Sequence, residues 1–317
     1  MWIEKSKTEY DNYRIPGLIM TEKGTLLAYY ECRRSMSDWA DIDLKVKRSC
    51  DKGQTWKTVK LVPSDGDTTN NPVMISDGNT VHFLYLKNYK RLFYCQSSDD
   101  GLTFTSPIEI TDVFNEVEFF YNCVAIGPGH SIIHNGTIII PVWFANNRDD
   151  EKSHLPSFVA SIYSKDHGKS WHVGEKIEGA GLVNGNECAY AVTKDGKVLI
   201  SMRNTNDHHR RYLAISENGY SDWKGLYACE NLPDPFCQGS MDSIGGKIFH
   251  INCASDSRER INLTVKISEN CFETYESVLV DEVGGYSDLV ATEEAIYVLY
   301  ERNANDGLYF KKVDYKN

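Results

Sequence analysis

Ser49-Cys50-Asp51-Lys52-Gly53-Gln54-Thr55-Trp56 is the stretch that decides the fold, because it comes back. It recurs as Ser97-Ser98-Asp99-Asp100-Gly101-Leu102-Thr103-Phe104 and as Ser164-Lys165-Asp166-His167-Gly168-Lys169-Ser170-Trp171. Two eroded copies follow, Ser216-Glu217-Asn218-Gly219 ahead of Trp223 and Ser268-Glu269-Asn270-Cys271-Phe272 ahead of Tyr275. The leading serines stand at 49, 97, 164, 216 and 268. A period of about 50 residues belongs to propellers and solenoids.

Short runs precede each copy, at 44–48, 92–96, 159–163, 212–215 and 263–267, rich in β-branched and aromatic residues. Further hairpins are marked by Ser76-Asp77-Gly78-Asn79, His134-Asn135-Gly136 and Lys194-Asp195-Gly196. Helical periodicity never lasts beyond a couple of turns. The expected fold class is therefore all-β, a six-bladed β-propeller with four-stranded antiparallel blades. Five blades carry the turn, and both termini close the sixth. Within the turn, Ser and Asp bond backbone N–H groups, Gly takes a positive φ and the aromatic packs between strands. Asp51, Asp99 and Asp166 are read as turn braces, not as catalytic carboxylates.

The 317 residues can bury a large core without a disulfide scaffold. No Pro-rich or low-complexity linker divides them, so one domain is expected over 1–317. A formal net charge of −11 argues against nucleic acid or an anionic membrane surface as partner. No apolar run approaches the ~18 residues of a membrane span. Residues 1–12 are polar and charged, without the basic start and apolar core of a signal peptide. Nine cysteines, with no Cys-x-x-Cys pair, fit neither a disulfide framework nor a zinc site. They read as free, mostly buried thiols in a reducing compartment, the cytoplasm.

Single-copy segments carry a second signal. Tyr13-Arg14-Ile15-Pro16-Gly17-Leu18, followed by Gly24-Thr25-Leu26-Leu27-Ala28, resembles the signature that opens the catalytic domain of exo-sialidases. The likeness continues through Arg33-Arg34-Ser35-Met36-Ser37-Asp38-Trp39, Ile126-Gly127-Pro128-Gly129-His130, Asn186-Glu187-Cys188 and Ser201-Met202-Arg203-Asn204. It ends with Arg260-Ile261-Asn262-Leu263-Thr264-Val265 and Gly285-Tyr286-Ser287-Asp288-Leu289. In order and in extent the chain is similar to the Asp-box (BNR-repeat) sialidases, glycoside hydrolase family 33-like. The resemblance implies a retaining exo-α-sialidase that removes terminal sialic acid from oligosaccharides or glycoconjugates, with no cofactor and no metal. Its neighbours in mechanism are hydrolases of other ulosonic acids, trans-sialidases and intramolecular trans-sialidases.

The implied roles make chemical sense. Sialic acid carries a carboxylate on its anomeric carbon, which guanidinium groups grip in a bidentate fork. The resemblance names Arg14, Arg203 and Arg260 for this, with Arg258 a neighbouring competitor of Arg260. Sialidases attack with Tyr instead of a carboxylate. A neutral phenol escapes repulsion by the substrate's own carboxylate, but with a pKa near ~10 it needs a base beside it. The resemblance names Tyr286 as nucleophile and Glu187 as its base. The acid/base belongs on a loop over the site. Asp38 matches best, with Asp41 in reserve. Arg33, ahead of Arg34, corresponds to an arginine that contacts the ring near its O4. Trp39, Phe119, Phe120, Tyr121 and Trp143 are candidates for an apolar pocket wall, each read more readily as propeller core.

Overall fold

In a computed structural model, which describes residues 1–315, each copy of the repeated turn joins the third strand of a sheet to its fourth. Six antiparallel sheets stand around one axis as the blades of a β-propeller. The first is built from Asn12–Met20, Leu26–Arg33, Ile42–Ser49 and Lys57–Val62. The second comprises Thr69–Asp77, Thr80–Lys87, Arg91–Ser97 and Ile108–Glu109. The fourth and fifth repeat the plan from Cys188–Val192 to Lys224–Pro233 and from Ser240–Ile244 to Glu276–Val283. The sixth holds Ser287–Ala291, Ile296–Glu301 and Gly307–Val313, and Trp2–Lys5 pairs onto it as the outermost strand. Both ends of the chain thus close one blade.

The third blade departs from the uniform plan. Its innermost strand is split into Cys123–Ile126 and Ile132–His134, both paired to Thr137–Ala145. A short 3₁₀ helix, Thr111–Glu116, lies in the connection before it. These insertions explain the longer step from Ser97 to Ser164 in the turn repeat.

The turn closes as its chemistry requires. Asp51 accepts from the Thr55 amide at 2.9 Å and the Thr55 hydroxyl at 2.6 Å, while Ser49 Oγ accepts from the Gly53 amide at 2.9 Å. Gly53 is obligatory twice over: its φ is +86°, and a Cβ would lie 2.1 Å from the Phe310 ring. Trp56 packs edge-on against that same ring, 5.2 Å between centroids, and so ties the first blade to the sixth. In the eroded copies Asn218 and Asn270 do the work of Asp: Asn270 Oδ1 accepts from the Thr274 amide at 3.0 Å, and Asn218 Oδ1 from the Ser221 amide at 2.9 Å. The hydrogen bonds from Thr55 and Thr103 hold Asp51 and Asp99 down to about 2. All three aspartates are braces.

Side chains that alternate along each strand fill the space between neighbouring blades. Leu26, Ala28 and Tyr30 of the first blade meet Tyr297, Leu299 and Phe310 of the sixth in one such layer. At the axis, buried Asp288 accepts from the amides of Leu18 (2.8 Å) and His130 (2.9 Å) and pairs with the His130 ring (2.7 Å). The first, third and sixth blades are pinned there. All nine cysteines are unpaired, seven of them buried.

Antiparallel order now sorts the two faces of the propeller. The repeated turns leave one end of every third strand, so they share a face with the first-to-second hairpins. The opposite face receives the start of each first strand, the end of each second strand and the loop that follows it. Function has to be sought there.

Candidate active site

Arg14, Glu187 and Tyr286 stand at or just before first strands. Arg33 ends a second strand, Arg203 follows one, and Asp38 and Arg260 lie in the loops after second strands. The face rule therefore brings all of them to one end of the axis. They line a single cavity of about 330 Å³, within the range of small-molecule sites.

The opening signature has a structural cause. The pairing of Asn12–Met20 with its neighbour shifts register between Arg14 and Gly17, which is a β-bulge. Ile15 within it has φ +54°, an outlier for a β-branched residue. The bulge turns Arg14 toward the axis while the Ile15 side chain packs on Tyr286 and Cys237. Asn71, ahead of Pro72, repeats the device in the second blade with φ +49° and also lines the cavity.

The centre is a buried phenol held between opposite charges. Tyr286, 6% exposed, donates its hydroxyl proton to Glu187 Oε1 at 2.6 Å. The same hydroxyl accepts from Arg203 Nη1 at 2.7 Å, and Arg203 also pairs with Glu187. The guanidiniums of Arg14, Arg260 and Arg203 lie 5.0, 5.2 and 6.0 Å from the centre of the Tyr286 ring. Burial pushes the phenol above its ordinary pKa and the Glu187 charge adds to this, while Arg203, Arg260 and Arg14 pull it back.

The three arginines are not equally engaged. Arg14 is bound by Glu301, through Nε at 3.0 Å and Nη2 at 3.4 Å. Glu301 also accepts from the Ile15 and Tyr286 amides at 3.1 and 3.2 Å, so one buried carboxylate fixes an arginine and the backbone of the phenol together. Arg203 is taken by Glu187. The Arg260 side chain has no hydrogen-bond partner among the described residues, leaving a free cation over the ring. Its competitor Arg258 sits over Phe236, 5.2 Å away, outside the cavity lining.

Asp38 is half-exposed on the loop between the second and third strands of the first blade. Its carboxylate lies 2.7 Å from buried Arg33 and 3.8 Å from Arg14. Burial favours its neutral form, but Arg33 and Arg14 outweigh this and hold the carboxyl below its usual range. Arg33 is itself braced by Glu31 at 2.7 Å. Asp41 pairs with Arg34 at 3.2 Å and lies outside the lining, so the structure places Asp38, not Asp41, over the cavity.

Of the proposed apolar wall only Trp143 lines the cavity. Trp39 packs behind it on Tyr89 and His154, and Phe119 and Tyr121 pack on Phe144 in the core. Phe120 is exposed beneath Arg148. Sequence reasoning passed over Glu301, Asn71, Tyr89 and His154. Glu301 shares with Arg33 the last position of a second strand, which was the available signal.

The family model described as BNR repeat-like domain matches residues 58–298. A curated sialidase of Bacteroides fragilis is 27% identical over 91% of this chain and 60% of its own length. An exo-alpha-sialidase of Arthroderma benhamiae is 26% identical over 90% of this chain and 76% of its own. The chain thus spans about 60% of the first of these relatives. Among solved structures, a Hadza microbial sialidase superposes with TM-score 0.83 at 24% identity, covering 96% of this chain and 66% of that one. A Trypanosoma rangeli sialidase in complex with 2,3-difluorosialic acid gives 0.77 at 21%, covering 96% and 54%. These two likenesses establish the fold.

Proposed function

The chain belongs to the BNR repeat-like domain family, and we propose that within it this protein is a retaining exo-α-sialidase acting on terminal sialic acid of oligosaccharides or glycoconjugates. The observation that carries the reading is the Tyr286 hydroxyl, clasped between Glu187 and Arg203 beneath three guanidiniums. A carboxylate nucleophile would be repelled by the substrate's own carboxylate. A phenol with an adjacent base avoids that and becomes charged only as it reacts.

Arg14, Arg203 and Arg260 hold the substrate carboxylate. Tyr286 Oη attacks the anomeric carbon as its proton passes to Glu187. The substrate carboxylate offsets the arginine charges that keep Asp38 ionised, and Asp38, then protonated, gives its proton to the departing aglycone oxygen as the glycosidic bond breaks. The product of this step is a sialosyl–tyrosine intermediate. Asp38, now a carboxylate, takes a proton from water, whose oxygen displaces Tyr286, and the phenolate recovers its proton from Glu187. Two inversions leave the α-anomer as the first product. Arg33 faces the ring near its O4.

The reading is tested by proton NMR of a fluorogenic sialoside during turnover, with Tyr286→Phe alongside. The expected result is first release of the α-anomer and a loss of about 10³-fold or more in the variant, since its nucleophile is gone. First release of the β-anomer, or a variant of near-wild-type rate, overturns it.

A further inference from the structure

The loop that carries Asp38, residues 34–41, stands off the first blade and is largely exposed. Its internal bonds are short-range, such as Ala40 N to Ser37 O at 3.2 Å and Trp39 N to Ser37 Oγ at 3.1 Å. Holds to the first two blades include Asn12 Nδ2 donating to Met36 Sδ, Arg33 Nη1 donating to Met36 O at 3.5 Å, Arg34 Nη2 donating to Asp43 Oδ2 at 3.0 Å, and the Thr68 hydroxyl donating to Ala40 O at 2.6 Å. Another hold crosses to a different part of the propeller. Trp39 Nε1 donates to Lys152 O at 3.1 Å, in the loop after the second strand of the third blade. Its ring rests against Tyr89 (4.9 Å) and His154 (5.9 Å), and the Lys152 ammonium lies 5.5 Å from its centre. The indole therefore joins the first, second and third blades from a position adjacent in the chain to Asp38.

The contacts of Asp38 show why such a hold matters: its carboxylate lies on Arg33 and Arg14, an arrangement that anchors the loop through the carboxylate itself. Both arginine contacts are made by Oδ1, which leaves Oδ2 to carry the proton for an aglycone oxygen, and once that proton is on, the neutral carboxyl no longer anchors the loop as an ion pair. The loop then depends on holds that do not use the carboxylate. Trp39 supplies the one nearest to Asp38.

We propose that Trp39 is a positioning residue that clamps the Asp38 loop to the third blade and so sets the efficiency of the proton-donating step. This inference rests on the reading of Asp38 as the acid. It predicts a signature that mere loosening of the fold does not produce. A nitrophenyl aglycone leaves as a stable phenolate and has little need of the acid, whereas the lactose of sialyllactose leaves as an alcohol and requires its proton.

The experiment is kcat and KM for both substrates in the wild-type protein, Asp38→Asn, Trp39→Ala and Trp39→Phe, with thermal midpoints. Asp38→Asn is the reference and loses far more kcat/KM, which reports only up to departure of the aglycone, on sialyllactose than on the nitrophenyl sialoside. Trp39→Ala is expected to follow it, losing about 100-fold in kcat/KM on sialyllactose and under about fivefold on the aryl substrate. Trp39→Phe keeps the ring, loses the N–H and falls between, about three- to tenfold on sialyllactose. If Trp39→Ala does not fold, the phenylalanine variant decides. Equal losses on the two substrates, or none, while Asp38→Asn shows the signature, overturn the role of Trp39 alone. Absence of the signature in Asp38→Asn overturns the acid assignment, and a wild-type protein that cleaves neither substrate overturns the reading of function; in either case the inference falls with it.

Discussion

Replacing Glu301 by Gln tests whether the site is held together from behind. The carboxylate is 2% exposed and accepts four hydrogen bonds, two at each oxygen. Oε1 serves Arg14 Nε and the Ile15 amide, and Oε2 serves Arg14 Nη2 and the Tyr286 amide. A glutamine has the same shape but only one oxygen. Whichever way its amide lies, one backbone N–H faces an NH₂ group and is left buried without an acceptor, at a cost of about 1–3 kcal/mol. Arg14, 13% exposed at its side chain, also loses its counter-charge. Breaking a buried pair costs about 3–5 kcal/mol, and the retained hydrogen bonds bring this case to the lower end, about 3 kcal/mol. For a chain of this size that is a fall of about 4–5 °C in thermal midpoint. Since the same carboxylate orients Arg14, proposed above to hold the substrate carboxylate, kcat/KM on a fluorogenic sialoside should fall about 10- to 100-fold, chiefly through KM. Scanning calorimetry and steady-state kinetics on one preparation read both. An unchanged midpoint together with an unchanged KM refutes the reasoning.

Arg260→Ala removes a cation whose side chain has no hydrogen-bond partner among the described residues, so KM should rise about 10- to 100-fold with little change in thermal midpoint, whereas Arg14→Ala strands Glu301 and should lower both activity and midpoint. At the axis, burial alone would lower the His130 pKa, but the Asp288 charge and hydrogen bond and the nearby Asp242 raise it to about 9. A raised histidine pKa adds stability that is complete below its unfolded value of about 6.5 and lost as pH climbs through about 9. The thermal midpoint should therefore drop between pH 7 and 9.5, and the drop should be smaller in His130→Gln; identical pH profiles contradict this. Asp166→Ala removes the brace of a turn on the face opposite the cavity, so calorimetry should show a lower midpoint while kcat/KM stays within about twofold.

The propeller was legible because its repeated element is local. A turn of eight residues with Ser, Asp, Gly and Trp at set places folds by contacts among those same residues, and Asn218 and Asn270 keep the contacts in the worn copies. The closure by both termini was legible for the same reason: five turns left one blade without its own. The split inner strand of the third blade was not, since the Gly127–His130 interruption draws its sense from Asp288, far along the chain. Of the cavity lining, Arg14 was readable from the Tyr13–Leu18 string that resembles the sialidase signature, and Tyr286 and Glu187 from short strings of the same resemblance at first-strand starts. Glu301 and His154 gave no such string. Their partners come from other blades, and only the axis brings them together. Trp143 was weighed as core and lines the cavity, because a strand-end aromatic on this face packs inward with one edge and borders the opening with the other.

The central claim is that Tyr286 forms a covalent bond to the substrate. A 2,3-difluorosialic acid carries a fluoride leaving group at the anomeric carbon and a neighbouring fluorine that slows release of the adduct, so the intermediate accumulates. Intact-mass spectrometry of the treated protein should show one sialosyl equivalent added, peptide mapping should place it on Tyr286, and Tyr286→Phe should stay unlabelled. An adduct on Glu187, or brisk sialoside cleavage with no adduct anywhere, would contradict the account.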